Sequence, residues 1–406
     1  MFSSLVAKLA WMRARVSLRV SLSFLLFATA PAHHAIADSA AVPFSVADNL
    51  FDQDQPATLG LSVPAGLQTM TVFGPDDNDN TFNHGAVITE FNGQLYMQWQ
   101  TSLRDEDSPD THVVYSRSAD GQTWSEPILL AESPPESMTT SGGWWRHGDK
   151  LVAYINVWPK AGDITRGGYT MFVTSEDGTE WSNLKPVLES HGNPVQGVFE
   201  QDPRALSDGR IVSAFHLQPG LIVAPYYTDD PSGTRGWIRG QMRNLPHEGP
   251  VSREIEPSWF RRDDGVIVMV FRDQAESFRK LASESHDRGA TWSTPVLTNM
   301  PDARTKQSAG NLPDGTAYFA GNPVSSKNRH PLVLVLSRDG RVFDQAWLLR
   351  AGGDALPVTR YEGKYKRQGY SYPKSAVLGD WLYVAYATNK EDIEVTRVPL
   401  GSLLTP

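Results

Sequence analysis

A short phrase returns along the chain at nearly equal intervals. Ser118-x-Asp120-Gly121-x-Thr123-Trp124 is echoed by Ser175-x-Asp177-Gly178-x-x-Trp181, by Ser285-x-Asp287-x-Gly289-x-Thr291-Trp292 and by Ser337-x-Asp339-Gly340-x-x-Phe343. The starts are 57, 110 and 52 residues apart. The long gap is two periods with one blurred copy inside it, Thr228-x-Asp230 followed by Gly233 and Trp237. A period of about 50 residues means stacked units that cannot bury their faces alone. The phrase itself reads as a turn that ends a strand. Ser or Thr and Asp hydrogen-bond nearby backbone groups, Gly supplies a positive φ, and the aromatic residue packs between neighbouring sheets.

A second signal falls between these turns. Asn92-Gly93, Gly148-Asp149, Asp208-Gly209, Asp264-Gly265, Asp314-Gly315 and Gly379-Asp380 each separate two apolar, strand-like runs. Such pairs mark hairpins. The strands expected after them include Gln94–Trp99, Lys150–Val157, Arg210–His216, Val266–Arg272 and Trp381–Ala387. Six hairpin-plus-turn units fill roughly Phe82 to Leu400, each with room for four antiparallel strands. The expected fold is therefore all-β, a single β-propeller of six blades, with seven as the alternative. Of the strand candidates Thr58–Pro64 and Gln68–Phe73, one is expected to complete the last blade and latch the ring.

Residues 1–37 read as a signal peptide, with Lys8, Arg13, Arg15 and Arg19 before the short apolar run Val20–Ala28 and the small-residue site Ala35-Ile36-Ala37. That run is too short to span a membrane comfortably. The expectation is a periplasmic or secreted protein, a single domain over 38–406, monomeric and free of the membrane after cleavage. The sequence has no cysteine, which removes disulfides, thiol catalysis and thiolate metal sites. A net charge of -9 without any Lys/Arg run argues against nucleic acid, but leaves room for a local basic pocket that binds an anion. No spacing implies a metal site or cofactor, although a structural calcium ion held by scattered carbonyls would leave no trace.

In a propeller the ligand site lies on the axis, built at the start of each inner strand. Those segments read Asn83-His84, Thr140-Ser141, Glu200-Gln201-Asp202-x-Arg204, Glu254-Ile255-Glu256, Lys306-Gln307-Ser308 and Tyr370-Ser371-Tyr372-Pro373-Lys374. Polar and ionisable groups gather at one structural position in every unit, which a purely structural ring does not need. Bland roles remain open: His84 capping a turn, Glu256 paired with Arg272, Asp202 with Arg204, and Tyr370 or Tyr372 packing between blades.

The repeated phrase resembles the Asp-box, or BNR repeat, of the sialidase-like propellers, over most of the chain beyond residue 37. The stretch from Glu256 to Arg272 is similar to the family's glutamate and the arginine that closes the next strand. Arg329 is placed like a further arginine, and Tyr370-Ser371 stands where the family has its nucleophilic tyrosine. The resemblance implies exo-glycoside hydrolysis of an acidic glycan. Tyr370 would be nucleophile, Glu256 its base, Arg272 and Arg329 the carboxylate grip, and Asp107 in the loop 104–110 the acid/base. Lys306, Gln307, Tyr372, Lys374, Asp202, Arg204 and Asn83 complete the expected binding set. One departure stands out: where sialidases open with Phe-Arg-Ile-Pro, this chain has Phe82-Asn83-His84-Gly85, so an arginine is missing.

The first blade also resembles that of propeller polysaccharide lyases acting on ulvan and of related rhamnosidases. That likeness implies β-elimination at a uronate, with His84 as base, Tyr370 or Tyr372 as proton donor and Arg204 or Arg272 neutralising the carboxylate. A non-catalytic glycan-binding propeller is the third reading, because fold alone does not choose among them.

Overall fold

A computed structural model describes residues 42–160, 167–201 and 203–403. The segment expected to be a signal peptide and Asp202 lie outside the described residues.

The repeats fold as expected into six blades, five of them sheets of four hydrogen-bonded strands and the third a sheet of five because its inner strand is split. The innermost strands are Phe82–Phe91, Ser137–His147, Gly197–Phe199, Glu254–Arg261, Ser308–Asn311 and Tyr370–Leu378, in blades 1 to 6. In blade 3 the inner strand is interrupted and resumes at Arg204–Ala205. The hairpin signals lie where the sequence put them. Asn92 and Gly93 have φ of 50° and 73°, so the pair makes the tight turn that sets Phe91 opposite Gln94.

The Asp-box turns connect the third and fourth strands of blades 1 to 5. Blade 6 has none, because its fourth strand arrives from the other end of the sequence: Gln68–Phe73 pairs antiparallel with Asp392–Pro399. This is the latch. The other candidate, Thr58–Pro64, is not a strand. Leu59 there takes a left-handed backbone (φ 55°) and buries its side chain in the seam between blades 4 and 5, which a pleated strand would not allow.

Each seam holds one large apolar cluster, and the seam of blades 2 and 3 has a second, smaller one of Met138, Trp158 and Val198. The seam of blades 1 and 2 joins Val87, Tyr96 and Tyr115 to Trp144, Ile155 and Val173, with the Asp-box Trp181 packed against it. The seam of blades 6 and 1 closes the circle with Val395 and Ala385 against Met97 and Trp99. Each fully buried large apolar side chain contributes about 1.5–3 kcal/mol relative to exposure. The Asp-box aromatics are both glue and lock: Trp237 is buried in a seam, and its indole N–H donates to Gly233 O at 2.8 Å.

Candidate active site

The inner strands carry a recurring irregularity near their N-terminal ends. Register breaks fall between His84 and Val87, Ser141 and Gly143, Ile255 and Ser258, and Ser371 and Lys374. Each is a bulge that adds a residue and re-aims a side chain. Within them Gly85, Gly143, Glu256 and Tyr372 have φ of 68°, 92°, 54° and 55°. Glycine tolerates that region. Glutamate and tyrosine do so at a cost of about 1–3 kcal/mol, which persists where the surroundings enforce it. Blades 1 and 2 thus clear space at the axis, and blades 4 and 6 project Glu256 and Tyr372 into it.

Those two side chains meet. The Tyr372 hydroxyl donates to Glu256 Oε1. Arg272 Nη1 donates to both Glu256 carboxylate oxygens, at 3.2 and 3.1 Å, and lies 3.3 Å from the Tyr372 oxygen. Around the tyrosine ring stand the Arg329 guanidinium at 5.1 Å, Lys306 Nζ at 5.7 Å and the His84 ring at 4.3 Å. Burial pushes the Glu256 carboxyl up, but Arg272, Lys306 and the tyrosine hydroxyl outweigh it and hold the group below the usual range. The Tyr372 phenol is raised, by burial and then by Glu256. The pair is therefore a neutral phenol facing an ionised carboxylate.

A deeper layer fixes Glu256. His216 Nε2 accepts the Glu256 backbone N–H at 3.1 Å, so its proton sits on Nδ1, which faces Glu200 Oε1 at 2.9 Å. Glu200 also pairs with Lys306 at 2.6 Å. Burial opposes its ionisation, yet Lys306 and His216 keep its carboxyl far below the usual range. Gln307 donates to Glu256 O at 2.9 Å and accepts from the buried Lys280 at 2.6 Å.

The site opens into a cavity of about 170 Å³ lined by His84, Glu106, Asp107, Gln201, Glu256, Lys306 and Tyr372, among others. Asp107 is exposed at its mouth on a strained backbone (φ 60°). Crowding and then the neighbouring Glu106 raise its carboxyl above the usual range, a shift that solvent at the mouth moderates. His84 is 1% exposed, and neither ring nitrogen has a hydrogen-bond partner. Burial, then Lys390, Arg329 and Lys306, push its pKa well below the ordinary value, so the ring is neutral. A larger cavity of about 680 Å³ lies at the other end of the inner strands, lined by Trp145, Arg204, Trp259 and Ser375. The ionisable groups converge on the smaller one. Gln201 lines both cavities and separates them, donating to Gly85 O and to Ser141 while accepting from Lys306 at 2.8 Å.

The structure therefore brings together Glu256, Tyr372, Arg272, Arg329, Lys306, His84 and Asp107. It sets others apart. Tyr370, expected as nucleophile, is buried between blades 5 and 6. Its hydroxyl donates to Ala351 O at 2.9 Å, and its ring meets Tyr386 edge-on. The bulge after Ser371 turns the second tyrosine, not the first, to the axis. Asn83 is turned into the fold, bonded to Trp99, Asn80 O and Glu391 O. Arg204 stacks 4.1 Å above Trp259 at the other cavity. Lys374 is buried beneath the site, within electrostatic reach of Glu200. Among the described residues, no three His, Asp or Glu side chains converge on a metal-sized point.

Sequence reasoning did not single out Lys390 and Glu106. Lys390 is 2% exposed at the Thr388–Glu391 hairpin turn, and its ammonium pairs with Glu106 of the acidic loop.

Comparison with known proteins places the chain in a family. The BNR repeat-like domain covers residues 93–384, and the chain belongs to that family, within the sialidase-like propellers. No curated protein matches in sequence. Among solved structures, one titled simply a sialidase shares 19% identity at a TM-score of 0.63, over 88% of this chain and 35% of that one. A protein of unknown function from Dyadobacter fermentans shares 15% at 0.60, over 82% and 99%. Trypanosoma rangeli sialidase in complex with sialic acid shares 17% at 0.59, over 85% and 60%. The chain thus spans about a third of the first neighbour's length.

Proposed function

We propose that this protein is a glycoside hydrolase of sialidase type, acting outside the cytoplasm on an acidic glycan. The observation that carries the reading is the Tyr372–Glu256 hydrogen bond at the axis. A phenol is a weak nucleophile until a base takes its proton, and Glu256 is ionised and in contact. The Tyr372 oxygen attacks the anomeric carbon as Glu256 accepts the phenolic proton. Asp107, whose carboxyl pKa is raised by its surroundings, gives its proton in its acid form to the departing glycosidic oxygen. Water, losing a proton to Asp107, then displaces the tyrosine, and the phenol recovers its proton from Glu256. A neutral phenol avoids the repulsion that a carboxylate nucleophile would meet from an acidic sugar. Arg329 and Arg272 supply positive charge for the sugar carboxylate.

A second reading has its own observation. His84 is neutral, has no hydrogen-bond partner on either nitrogen and lies against Tyr372, as a base and acid pair for β-elimination would require. Incubation with uronate- and sialate-containing glycans separates the two. Hydrolysis adds water to the products, whereas elimination leaves an unsaturated sugar that absorbs in the ultraviolet. An unsaturated product would overturn the hydrolase reading.

A further inference from the structure

Lys390 reaches the axis by an unusual route. It and Asn389 both have φ of 57°, the backbone of a tight hairpin turn that normally selects Asn or Gly. This turn faces inward. The Lys390 carbonyl accepts the N–H of Asn83 at 3.0 Å, so the lysine starts beside the strand that carries His84. Its ammonium lies 5.7 Å from the Phe82 ring, which in turn lies 6.0 Å from His84. Lys390 and Arg329 are the two charges that act most strongly on His84.

The other cations at the axis have carboxylates in ion pairs: Arg272 has Glu256 and Lys306 has Glu200. Arg329, 5% exposed, donates instead to the Ser371 hydroxyl at 2.9 Å. Glu106 is the carboxylate paired with Lys390, and it also attracts Arg329. It comes from an external loop, lines the substrate cavity and adjoins Asp107. Of these two buried cations, Lys390 has the loop carboxylate in contact, and Arg329 has a hydroxyl in place of an ion-pair partner. A buried cation short of a partner is costly, and a second anion relieves it.

We propose that Lys390 is a specificity-determining residue: with Arg329 it forms a seat for the carboxylate of the substrate, and Glu106 holds that seat until the substrate takes it. The inference rests on the glycosidase reading for its consequence. Because Glu106 and Asp107 are consecutive, displacement of Glu106 moves the proton donor with it. A carboxylated sugar fills the seat and re-aims Asp107, and a neutral sugar leaves Glu106 in place.

The test uses the full chain, with free N-acetylneuraminate and free glucuronate titrated by calorimetry. The 4-methylumbelliferyl glycosides of the same two acids serve for turnover. Wild type binds at least one acid. The charge-balanced pair Lys390→Met with Glu106→Gln weakens that binding at least about 30-fold and raises KM in proportion. Glu106→Gln alone tightens binding about 3–10-fold, because the competing charge is gone. Lys390→Arg, which keeps the charge, retains binding and controls for misfolding. If Lys390 merely tethers the loop, Glu106→Gln lowers kcat and leaves binding unchanged, and the seat is overturned. Equal binding by wild type and the double variant also overturns it. Binding that follows the seat without any turnover sinks the glycosidase reading alone. Failure of wild type to bind either acid overturns both.

Discussion

At the rim, Ser118, Ser175, Ser285 and Ser337 do the same thing four times. Each hydroxyl accepts a glycine N–H at 2.8, 2.8, 2.8 and 2.9 Å, and donates to the box aspartate at 3.0, 2.9, 2.9 and 3.0 Å. At the axis the backbone repeats as well, but the side chains do not. Four blades carry a bulge with one left-handed residue, and these are Gly85, Gly143, Glu256 and Tyr372. Repetition of geometry with repetition of residues closes a ring. Repetition of geometry with different residues builds a pocket, because one backbone device delivers space from two blades and the Glu256 and Tyr372 side chains from two others. Rim and axis should therefore answer to substitution in different ways: stability without turnover, or turnover without stability.

The largest expected effect lies with the two tyrosines. Tyr372→Phe removes the proposed nucleophile and leaves the ring intact, so kcat falls about 10³-fold or more, with the melting temperature nearly unchanged. Tyr370→Phe deletes a buried hydroxyl and orphans the Ala351 carbonyl, costing about 1–3 kcal/mol of stability with kcat within about threefold of wild type. If Tyr370→Phe abolishes turnover and Tyr372→Phe does not, the division between packing and axis is wrong at its most direct point.

Asp107 tests the axis through pH. In the proposed mechanism Glu256 acts as carboxylate and its pKa is held low, so activity should survive as pH falls through the ordinary carboxylate range and be lost only when Glu256 protonates. In that mechanism Asp107 acts as acid and its pKa is raised, so activity should decline as pH climbs through that elevated value. Asp107→Asn should lower kcat about 10²–10⁴-fold on glycosides with poor leaving groups, less on aryl glycosides, and should flatten the alkaline limb. An alkaline limb unchanged in Asp107→Asn would assign that proton to another group.

Gly85 is the point where ring geometry and site touch. A Cβ there would stand 2.8 Å from Ser141 Oγ and 3.2 Å from Gln201 Nε2, on a backbone with φ 68°. Gly85→Ala should cost roughly 1–2 kcal/mol. It should also lower kcat modestly, by disturbing the Gln201 that Lys306 holds. A stable, fully active Gly85→Ala would mean that the partition between the two cavities plays no part in the site.

How much of this was legible follows from where each device keeps its information. An Asp-box needs Ser, Asp, Gly and an aromatic within about seven consecutive residues, so the sequence displays it whole. The latch was legible only as one of two candidates, since pairing of Gln68–Phe73 with Asp392–Pro399 is a contact between distant segments. The choice between Tyr370 and Tyr372 was not legible. Both are odd members of one alternating pattern, and only the bulge after Ser371 decides which faces the axis. Lys390 gave no signal, because a lysine in a hairpin turn reads as solvent-exposed, and its ion-pair partner Glu106 comes from another blade. His84 was visible as a residue, but its two unpartnered nitrogens come from packing against Phe82 and Tyr372.

The smallest effect belongs to the rim. Asp287 accepts the Ser285 hydroxyl at 2.9 Å and the Thr291 N–H at 2.8 Å. Backbone and hydroxyl donors outweigh burial and hold its carboxyl below the usual range. A depressed carboxylate contributes stability that is present above its unfolded pKa and lost as pH falls through the folded one. Asp287→Ala should therefore lower the melting temperature by about 2–4 °C at neutral pH, and the gap to wild type should close in strong acid. Because Trp292 still seals the seam of blades 3 and 4, kcat and KM should stay at wild-type values. A change in KM would show that the rim communicates with the axis, and that the ring is a less rigid scaffold than its six sealed seams imply.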